Sequence, residues 1–371
     1  MTPLLRKFFG SNWLIIGLML GLAVFGLIAI YSCTYMRDDA NYVNMWRKQT
    51  IWVVSGLAIF LVVSFVDYRW LKWGALPLYL ASIMFLVLTL LIGKRIDNAR
   101  CWLQIGPLTF QPAQLAIVAG IAMLALFLSE FRKLHPMLKL AATGVIAGGP
   151  MVLILKQPDL GEVIVWVPVL IALWFVGGIP LRYLIAIALI GIAFIPLVAN
   201  FGLKDYQRAR LVAFIDPEID PQKTSWAINQ SLIAIGSGGW AGKGFKAPNT
   251  QVELGFLPKT TVPNDYIFSA IGEEWGFLGG VVLVSAYAAL LLACLIVALR
   301  AGDEFGLLIT VGVIAMIFFH VYQNIGMTIA IMPITGVPLP LVSYSGSFVL
   351  MVMLALGMVN SVWVHRKKAI A

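Results

Sequence analysis

The chain has 371 residues, of which 61% are hydrophobic and 12% charged, and its formal net charge is +9. Soluble globular domains contain roughly 45–50% apolar residues, so the composition excludes a soluble domain and indicates a polytopic membrane protein. The basic residues fall in short clusters between apolar stretches. This pattern argues against nucleic acid as a partner and favours anionic membrane lipids.

Ten apolar stretches can cross a hydrocarbon core about 30 Å thick, which needs roughly 20 helical residues. Backbone groups cannot stay unpaired inside lipid, so we predict an all-α polytopic fold of about ten transmembrane helices, forming a single integral membrane domain over 1–371. The predicted spans are 12–33, 50–66, 70–93, 111–130, 139–156, 161–178, 182–202, 265–299, 306–332 and 343–364.

Lysine and arginine are distributed unevenly between the two sides of these spans. The short segments on the side of the N-terminus carry twelve of them and the short loops on the other side carry seven. Because basic residues are enriched in cytoplasmic loops, both termini are predicted to be cytoplasmic. The one large extracytoplasmic loop, 203–264, lies between spans seven and eight, and its aromatic and apolar content predicts an ordered cap on the membrane surface.

Asp265 follows Pro263 and Asn264 at the start of a long apolar run that also contains Glu273 and Glu274. Carboxylates at the edge of hydrocarbon are costly and invite a functional interpretation. Asp265 could simply cap the helix. It could also be a general base that takes a proton from a sugar hydroxyl, which needs no second acid if the leaving group is a pyrophosphate. Glu273 and Glu274 could bond neighbouring helices, position substrate or tune Asp265.

Basic side chains on the same face could hold a diphosphate, because guanidinium groups match phosphate oxygens in bidentate geometry. Arg100 lies between the third and fourth spans, and Arg208, Arg210 and Lys243 lie in the large loop. Snorkelling to lipid headgroups is the alternative explanation for any one of them. Asp159 in 157–161 is a further candidate, because the flanking proline and glycine explain a turn but not the charge.

The segment 332–346 contains three prolines and two glycines at membrane depth. Such a segment is broken or re-entrant, and it is tolerated only where it faces protein or a wet cavity. His135, His320 and His365 are scattered without ligand spacing, so they are interpreted as packing or interface residues. No cofactor is required by the sequence, and a divalent cation, Mg2+ or Mn2+, that assists a pyrophosphate is left open.

Several motifs occur in one order from about residue 100 to the end. Together they resemble the SEDS family of bacterial shape, elongation, division and sporulation proteins. They resemble its RodA branch more than its FtsW branch. The matching stretches are Arg100-Cys101-Trp102-Leu103, Phe110-Gln111-Pro112, Gln157-Pro158-Asp159-Leu160-Gly161, Asp205-Tyr206-Gln207-Arg208-Ala209-Arg210, Gly236-Ser237-Gly238-Gly239 with Gly242-Lys243-Gly244, Phe256-Leu257-Pro258, Asp265-Tyr266-Ile267-Phe268 and Gly336-Val337-Pro338-Leu339-Pro340.

The resemblance implies a peptidoglycan glycosyltransferase for cell elongation and shape, which polymerises lipid II on the outer face of the bacterial cytoplasmic membrane with a class B penicillin-binding protein. Asp265 matches the family's essential acidic residue, and we expect it to be the catalytic base. The residues expected to contact substrate are Arg100, Asp159, Arg208, Arg210, Lys243, Glu273 and Glu274.

The chain departs from the family pattern at three places. Gln114 and Ile117 stand where the family usually has an acid and a lysine, and their joint absence suits a salt bridge replaced as a unit, since losing one buried partner would strand the other. Lys259 stands where an acid is typical, in a segment about two residues longer than usual, and Ser345 replaces a common glycine.

Two other classes of function remain open at this stage. A lipid II transporter or flippase would use the polar residues inside the bundle and the proline-broken segment. A non-catalytic scaffold would only recruit or activate a penicillin-binding protein, and it would leave Asp265 and the loop arginines without a role.

Overall fold

The structure is a computed structural model that describes residues 3–35, 40–96, 99–106, 108–197, 205–216, 225–257 and 261–366. Most of these residues are helical. The helices are α1 Pro3–Phe9, α2 Trp13–Thr34, α3 Ala40–Val43, α4 Met45–Phe65, α5 Leu71–Ile92, α6 Pro112–Glu130, α7 Pro136–Lys156, α8 Leu160–Val176, α9 Leu181–Leu197, α10 Asp205–Ile215, α11 Trp226–Ser237, α12 Ile267–Leu299, α13 Glu304–Thr328 and α14 Gly346–His365.

Each predicted span overlaps one helix, although residues 198–202 of the span 182–202 lie outside the described residues. The predicted all-α polytopic class is confirmed. Within the described residues eight helices are long and apolar enough to cross a membrane, and α8 and α9 are shorter apolar helices. The predicted boundaries are wrong by a few residues where prolines and glycines end a helix. The predicted span 306–332 stops at Thr328, and the predicted span 343–364 starts at Gly346.

A small antiparallel sheet precedes α6, and the sequence analysis did not predict it. Its strands are β1 Lys94–Ile96, β2 Ala99–Ile105 and β3 Leu108–Phe110, in the order β1-β2-β3. Alternate residues of β2, Cys101 and Leu103, are buried, which is the period of a strand lying on a core. The end of the helix bundle that carries this sheet is called the sheet end below.

The core is formed both by helices that follow each other in the chain and by helices that are distant in sequence. α14 lies against α4, α5 against α6, and α13 against α12, α8 and α6. The helices α6 and α14 are the most enclosed of the eight spans. In their most apolar 18-residue stretches, 72% and 78% of the residues are buried. They form the centre of the bundle, and the polar residues on them therefore need partners inside the protein.

The long helix α12 is interrupted at Gly276, where φ is +64°. The backbone groups released by this break are taken up by the segment 238–244. The amides of Lys243 and Gly244 donate to the carbonyls of Glu273 and Glu274 at 2.9 Å each. On the other side of the break, the amides of Phe277 and Leu278 donate to the carbonyls of Gly239 and Trp240 at 2.8 and 3.1 Å. The glycine-rich segment thus completes the hydrogen bonding of a broken helix.

The large loop 203–264 contains the helices α10 and α11. α11 packs against α12, and Ser231 on it bonds to Ser269 on α12 at 2.6 Å and donates to the Thr328 carbonyl at 2.6 Å. This part of the loop is therefore attached to the bundle. Residues 203–204, 217–224 and 258–260 lie outside the described residues, and with them Lys259.

Candidate functional site

Asp265 lies at the sheet end, immediately before α12. Its amide donates to the Thr261 carbonyl at 2.8 Å, and its carbonyl accepts from the Asn324 side chain on α13 at 3.0 Å. The capping position of α12 is occupied by Tyr266, so Asp265 stands one residue ahead of it. The backbone of Asp265 is thus fixed by two other segments, and its side chain is partly exposed.

The segment 333–345 forms one wall of this site. It is non-helical, as its prolines predict, and Val337 to Ser343 are buried. The Asn324 amide that holds Asp265 also donates to the Val337 carbonyl at 2.8 Å. Gly336 has a φ of +71°, and a Cβ built on it would lie 3.4 Å from Oδ2 of Asp265. Backbone without a side chain therefore faces the Asp265 carboxylate.

Asp159 approaches the same wall from α8, for which it is the N-cap. Its Oδ1 accepts from the Glu162 amide at 3.2 Å, and its Oδ2 accepts from the Gln111 side chain at 2.7 Å. Gly161 permits the close approach, since a Cβ there would lie 2.8 Å from the Thr335 carbonyl oxygen. The first turn of α8, which Asp159 caps, and Asp265 therefore lie on one short stretch of backbone, 335–337.

The two carboxylates influence each other. Loss of contact with water, and then the negative charge of Glu162, raise the pKa of Asp159 to about 7, and the charge of Asp265 adds to the effect. The hydrogen bonds from the Glu162 amide and from Gln111 act in the opposite direction. Near neutral pH, Asp159 therefore spends part of its time protonated, in which form it can donate a hydrogen bond to a substrate oxygen.

The arginines of the large loop are placed differently from each other. Arg210 on α10 is close enough to Tyr266, the neighbour of Asp265, for the two to interact electrostatically. Arg208 is exposed. Of the two, the structure brings Arg210 to the carboxylate site and leaves Arg208 at the surface of α10.

Arg100 is close to the site but faces away from Asp159. Its Nη1 lies 3.4 Å from the Leu90 carbonyl oxygen at the end of α5. The next residue, Cys101, donates from Sγ to the Gln157 carbonyl at 3.0 Å, beside Asp159. Because neighbouring residues of a strand point to opposite faces, Arg100 points to α5 while Cys101 points to the site.

Lys243 and Glu273 are paired with each other. Lys243 Nζ lies 2.6 Å from Oε1 of Glu273, which is fully buried. The same carboxylate accepts from the Gln251 amide at 2.9 and 3.0 Å. Its partners all belong to the large loop, so the geometry favours the alternative in which Glu273 holds protein rather than substrate.

Glu274 is also held by protein. It is 7% exposed, and its carboxylate accepts a hydrogen bond from the hydroxyl of Ser32 on α2. This bond joins α12 to α2, and it is the alternative role of bonding a neighbouring helix that the sequence left open for Glu274. The contact of Glu273 and Glu274 with substrate stays a prediction.

Two functional features escaped the sequence analysis. Asn324 is fully buried and holds both the Asp265 and the Val337 backbone. Gln111 was noted only as part of a motif, yet it orients Asp159. A polar residue within an apolar helix was the available signal for Asn324, but its partners depend on how α13 packs. Among the described residues no group of three or more His, Cys, Asp and Glu side chains could hold a metal ion.

The fold and this site define a polytopic helical membrane protein with two carboxylates and an arginine gathered at one end of its bundle. The model of the cell cycle protein family that groups FtsW, RodA and SpoVE matches residues 12–368. The chain belongs to this family, and its similarity is greatest toward RodA, as the motifs predicted.

Named relatives cover almost the whole chain. The peptidoglycan glycosyltransferase RodA of Treponema pallidum is 33% identical over 95% of this chain and 97% of its own length. The peptidoglycan glycosyltransferase MrdB of Escherichia coli is 35% identical over 94% of this chain and 92% of its own length.

Two solved structures share the fold along the whole bundle. One is a chain of a peptidoglycan synthase complex that coordinates polymerization and crosslinking, with a TM-score of 0.79, 29% identity and coverage of 97% of this chain and 99% of that chain. The other is the rod shape determining protein RodA of Thermus thermophilus, with a TM-score of 0.72, 28% identity and coverage of 97% and 98%.

Proposed function

We propose that the protein is a peptidoglycan glycosyltransferase that polymerises lipid II into glycan strands during cell elongation. The observation that carries the proposal is the Asp265 carboxylate, which faces side-chain-free backbone at Gly336 and shares that wall with Asp159. Relatives that match the chain over nearly its full length are named peptidoglycan glycosyltransferases. Family and site geometry support the same activity.

In the proposed reaction, Asp265 takes the proton of the acceptor GlcNAc 4-hydroxyl as its oxygen attacks the anomeric carbon of the donor MurNAc. The new glycosidic bond forms with inversion, and the bond to undecaprenyl pyrophosphate breaks, so the pyrophosphate leaves with the electron pair. A pyrophosphate is a good leaving group and needs no dedicated acid. Both lipid-linked sugars are held by the membrane, so positioning contributes much of the rate.

The groups around Asp265 have complementary roles in this proposal. Arg210 stabilises negative charge that develops on the pyrophosphate, since a guanidinium binds two phosphate oxygens at once. Asp159, partly protonated near neutral pH, donates a hydrogen bond to a sugar or phosphate oxygen. Arg100 and Arg208 supply further positive charge at the same end, whereas the charge of Lys243 is neutralised by Glu273. A divalent cation that assists the pyrophosphate would have to be bound with the help of the substrate's own oxygens.

The proposed setting follows from the same reasoning. The sheet end faces the outside of the bacterial cytoplasmic membrane, both termini lie in the cytoplasm, and the partner is a class B penicillin-binding protein that crosslinks the new strands. A solved structure with the same fold is part of a complex that coordinates polymerization and crosslinking, which supports such a partner.

Purified protein in proteoliposomes with labelled lipid II separates the three classes of function. We expect glycan polymer, with or without the penicillin-binding protein. Movement of lipid II between leaflets without polymer would instead identify a transporter. Neither activity, with intact binding of the penicillin-binding protein, would identify a scaffold.

A further inference from the structure

Four buried polar side chains lie further inside the bundle than Asp159, and the proposed mechanism does not use them. They are Gln114 on α6, Glu162 on α8, His320 on α13 and Ser347 on α14, and each is at most 2% exposed. A polar or charged group so far from water is costly unless it is paired.

The protonation of His320 is defined on one side of its ring. Its Nδ1 lies 2.7 Å from the Met316 carbonyl oxygen, which can only accept, so Nδ1 carries a hydrogen. The other nitrogen, Nε2, faces Oε2 of Glu162 at 3.8 Å. The Phe348 ring packs against the imidazole with centroids 4.8 Å apart. Glu162 and His320 therefore face each other as a buried pair of polar side chains from two different helices.

Gln114 connects this pair to the site. Its Nε2 donates to Oε1 of Gln111 at 3.0 Å and lies 3.5 Å from Oε1 of Glu162. Its own Oε1 accepts from the Ser347 hydroxyl at 3.1 Å, which fixes the orientation of the amide. Gln111 then donates to Asp159 at 2.7 Å. A continuous series of contacts thus runs from His320 to the Asp159 carboxylate.

We propose that Glu162 and His320 are a positioning pair, which holds the Gln114 and Gln111 amides in the orientation that presents Asp159 to the substrate. The proposal rests on the proposed glycosyltransferase function. It gives His320 a role beyond the packing that the sequence predicted for it. The pair acts through Asp159 and does not touch the substrate.

The test compares lipid II polymerisation by Glu162→Gln, His320→Phe and the double variant. We expect each single variant to lower kcat by about tenfold or more with little change in KM, because Asp159 is misplaced and not removed. The double variant should lose no more than the worse single variant, because neither partner is left stranded.

Trp174→Phe is the matched control. It removes a buried hydrogen bond of 2.8 Å to Thr143, whose hydroxyl still donates to the Lys139 carbonyl, and it has no connection to Asp159. We expect a lower Tm and unchanged kcat. If a single variant does not fold, the double variant decides, because it leaves no unpaired charge.

Wild-type kcat in the double variant, or losses that multiply between the single variants, would each overturn the proposal. A wild-type protein that makes no polymer would instead overturn the proposed function. The two failures are therefore distinguishable.

Discussion

Gly336 lies directly against Asp265, so that a Cβ on Gly336 would stand 3.4 Å from the Asp265 Oδ2 atom. Gly336 also has a φ of +71°, which residues with a Cβ rarely adopt. The left-handed backbone favours glycine at this residue, and a Cβ added there would touch the carboxylate at van der Waals distance.

Gly336→Ala tests this relationship. The left-handed conformation costs an alanine about 1–2 kcal/mol, and the added methyl group contacts the carboxylate. We expect a Tm lower by several degrees and polymerisation lower by about tenfold or more. Gly178→Ala is the control, because Gly178 has a φ of +77° and open space around its Cβ position. It should lower Tm similarly and leave activity unchanged. Equal activity in the two variants would show that the Gly336 contact is only conformational.

Asn324→Leu tests whether the backbone of Asp265 must be held from α13. The change removes the donor to the carbonyls of Asp265 and Val337, and each unpaired buried carbonyl costs about 1–3 kcal/mol. We expect losses of both stability and polymerisation. Asn360→Leu removes a buried amide that accepts from the Asn12 amide at 2.9 Å, far from the site, and should lower Tm alone. Equal activity losses in both variants would refute a specific role for Asn324.

Substitution of Lys243 tests whether Glu273 binds the large loop and not the substrate. Lys243→Met should lower Tm because it leaves the buried Glu273 carboxylate with its amide donors but without its cation. Lys243→Met with Glu273→Gln should recover part of that loss, and both proteins should retain a KM for lipid II near that of wild type. A KM that rises strongly while Tm stays constant would instead indicate that Lys243 contacts the diphosphate.

The raised pKa of Asp159 predicts a dependence of stability on pH. An ordinary aspartate has a pKa of about 3.9, and Asp159 has one of about 7 because it is removed from water beside Glu162. Folded protein therefore keeps a proton that the unfolded chain loses, so this contribution to stability is complete below about pH 4 and is lost as the pH rises through 7. The Asp159→Asn variant has no carboxyl group at this position, so its stability does not fall with pH for this reason.

Thermal unfolding of both proteins in detergent from pH 5 to pH 8 measures the effect. The Tm of wild type should fall relative to that of Asp159→Asn over this interval, and the variant should polymerise more slowly than wild type. Parallel Tm curves would show that Asp159 has an ordinary pKa.

Gly276→Ala tests the break in α12. A Cβ on Gly276 would lie 2.3 Å from the Gly242 amide nitrogen, so the segment 238–244 must separate from the helix. We expect faster hydrogen exchange at the Lys243, Gly244, Phe277 and Leu278 amides. Gly21→Ala on α2, with open space at its Cβ position, should leave exchange unchanged. Unchanged exchange in Gly276→Ala would contradict the proposed pairing.

The features predicted from sequence are those that depend on local composition. Long apolar runs predicted the spans, and the prolines near Pro338 predicted a non-helical segment, because both are decided by the solvent around a single stretch of chain. Asp265 stood out because a charge beside hydrocarbon is costly.

The features that were missed depend on partners far apart in sequence. The three strands are short, and β2 is held partly by the contact between Cys101 and the Gln157 carbonyl. Glu162 and His320 lie on different helices, and either one alone is an isolated polar residue in an apolar run. The partners of Glu273 belong to the large loop and reach it only because that loop packs against α12.

The assignment of Asp265 as the general base is tested by the rate of lipid II polymerisation by Asp265→Asn. The rate is measured beside wild type and Asp265→Glu, with the fold of each protein verified. Loss of a general base should lower the rate by about 10²–10⁴-fold for Asp265→Asn, while Asp265→Glu retains a measurable fraction and lipid II still binds both variants. Glycan strands made by Asp265→Asn at the wild-type rate would contradict the assignment of Asp265 as the base.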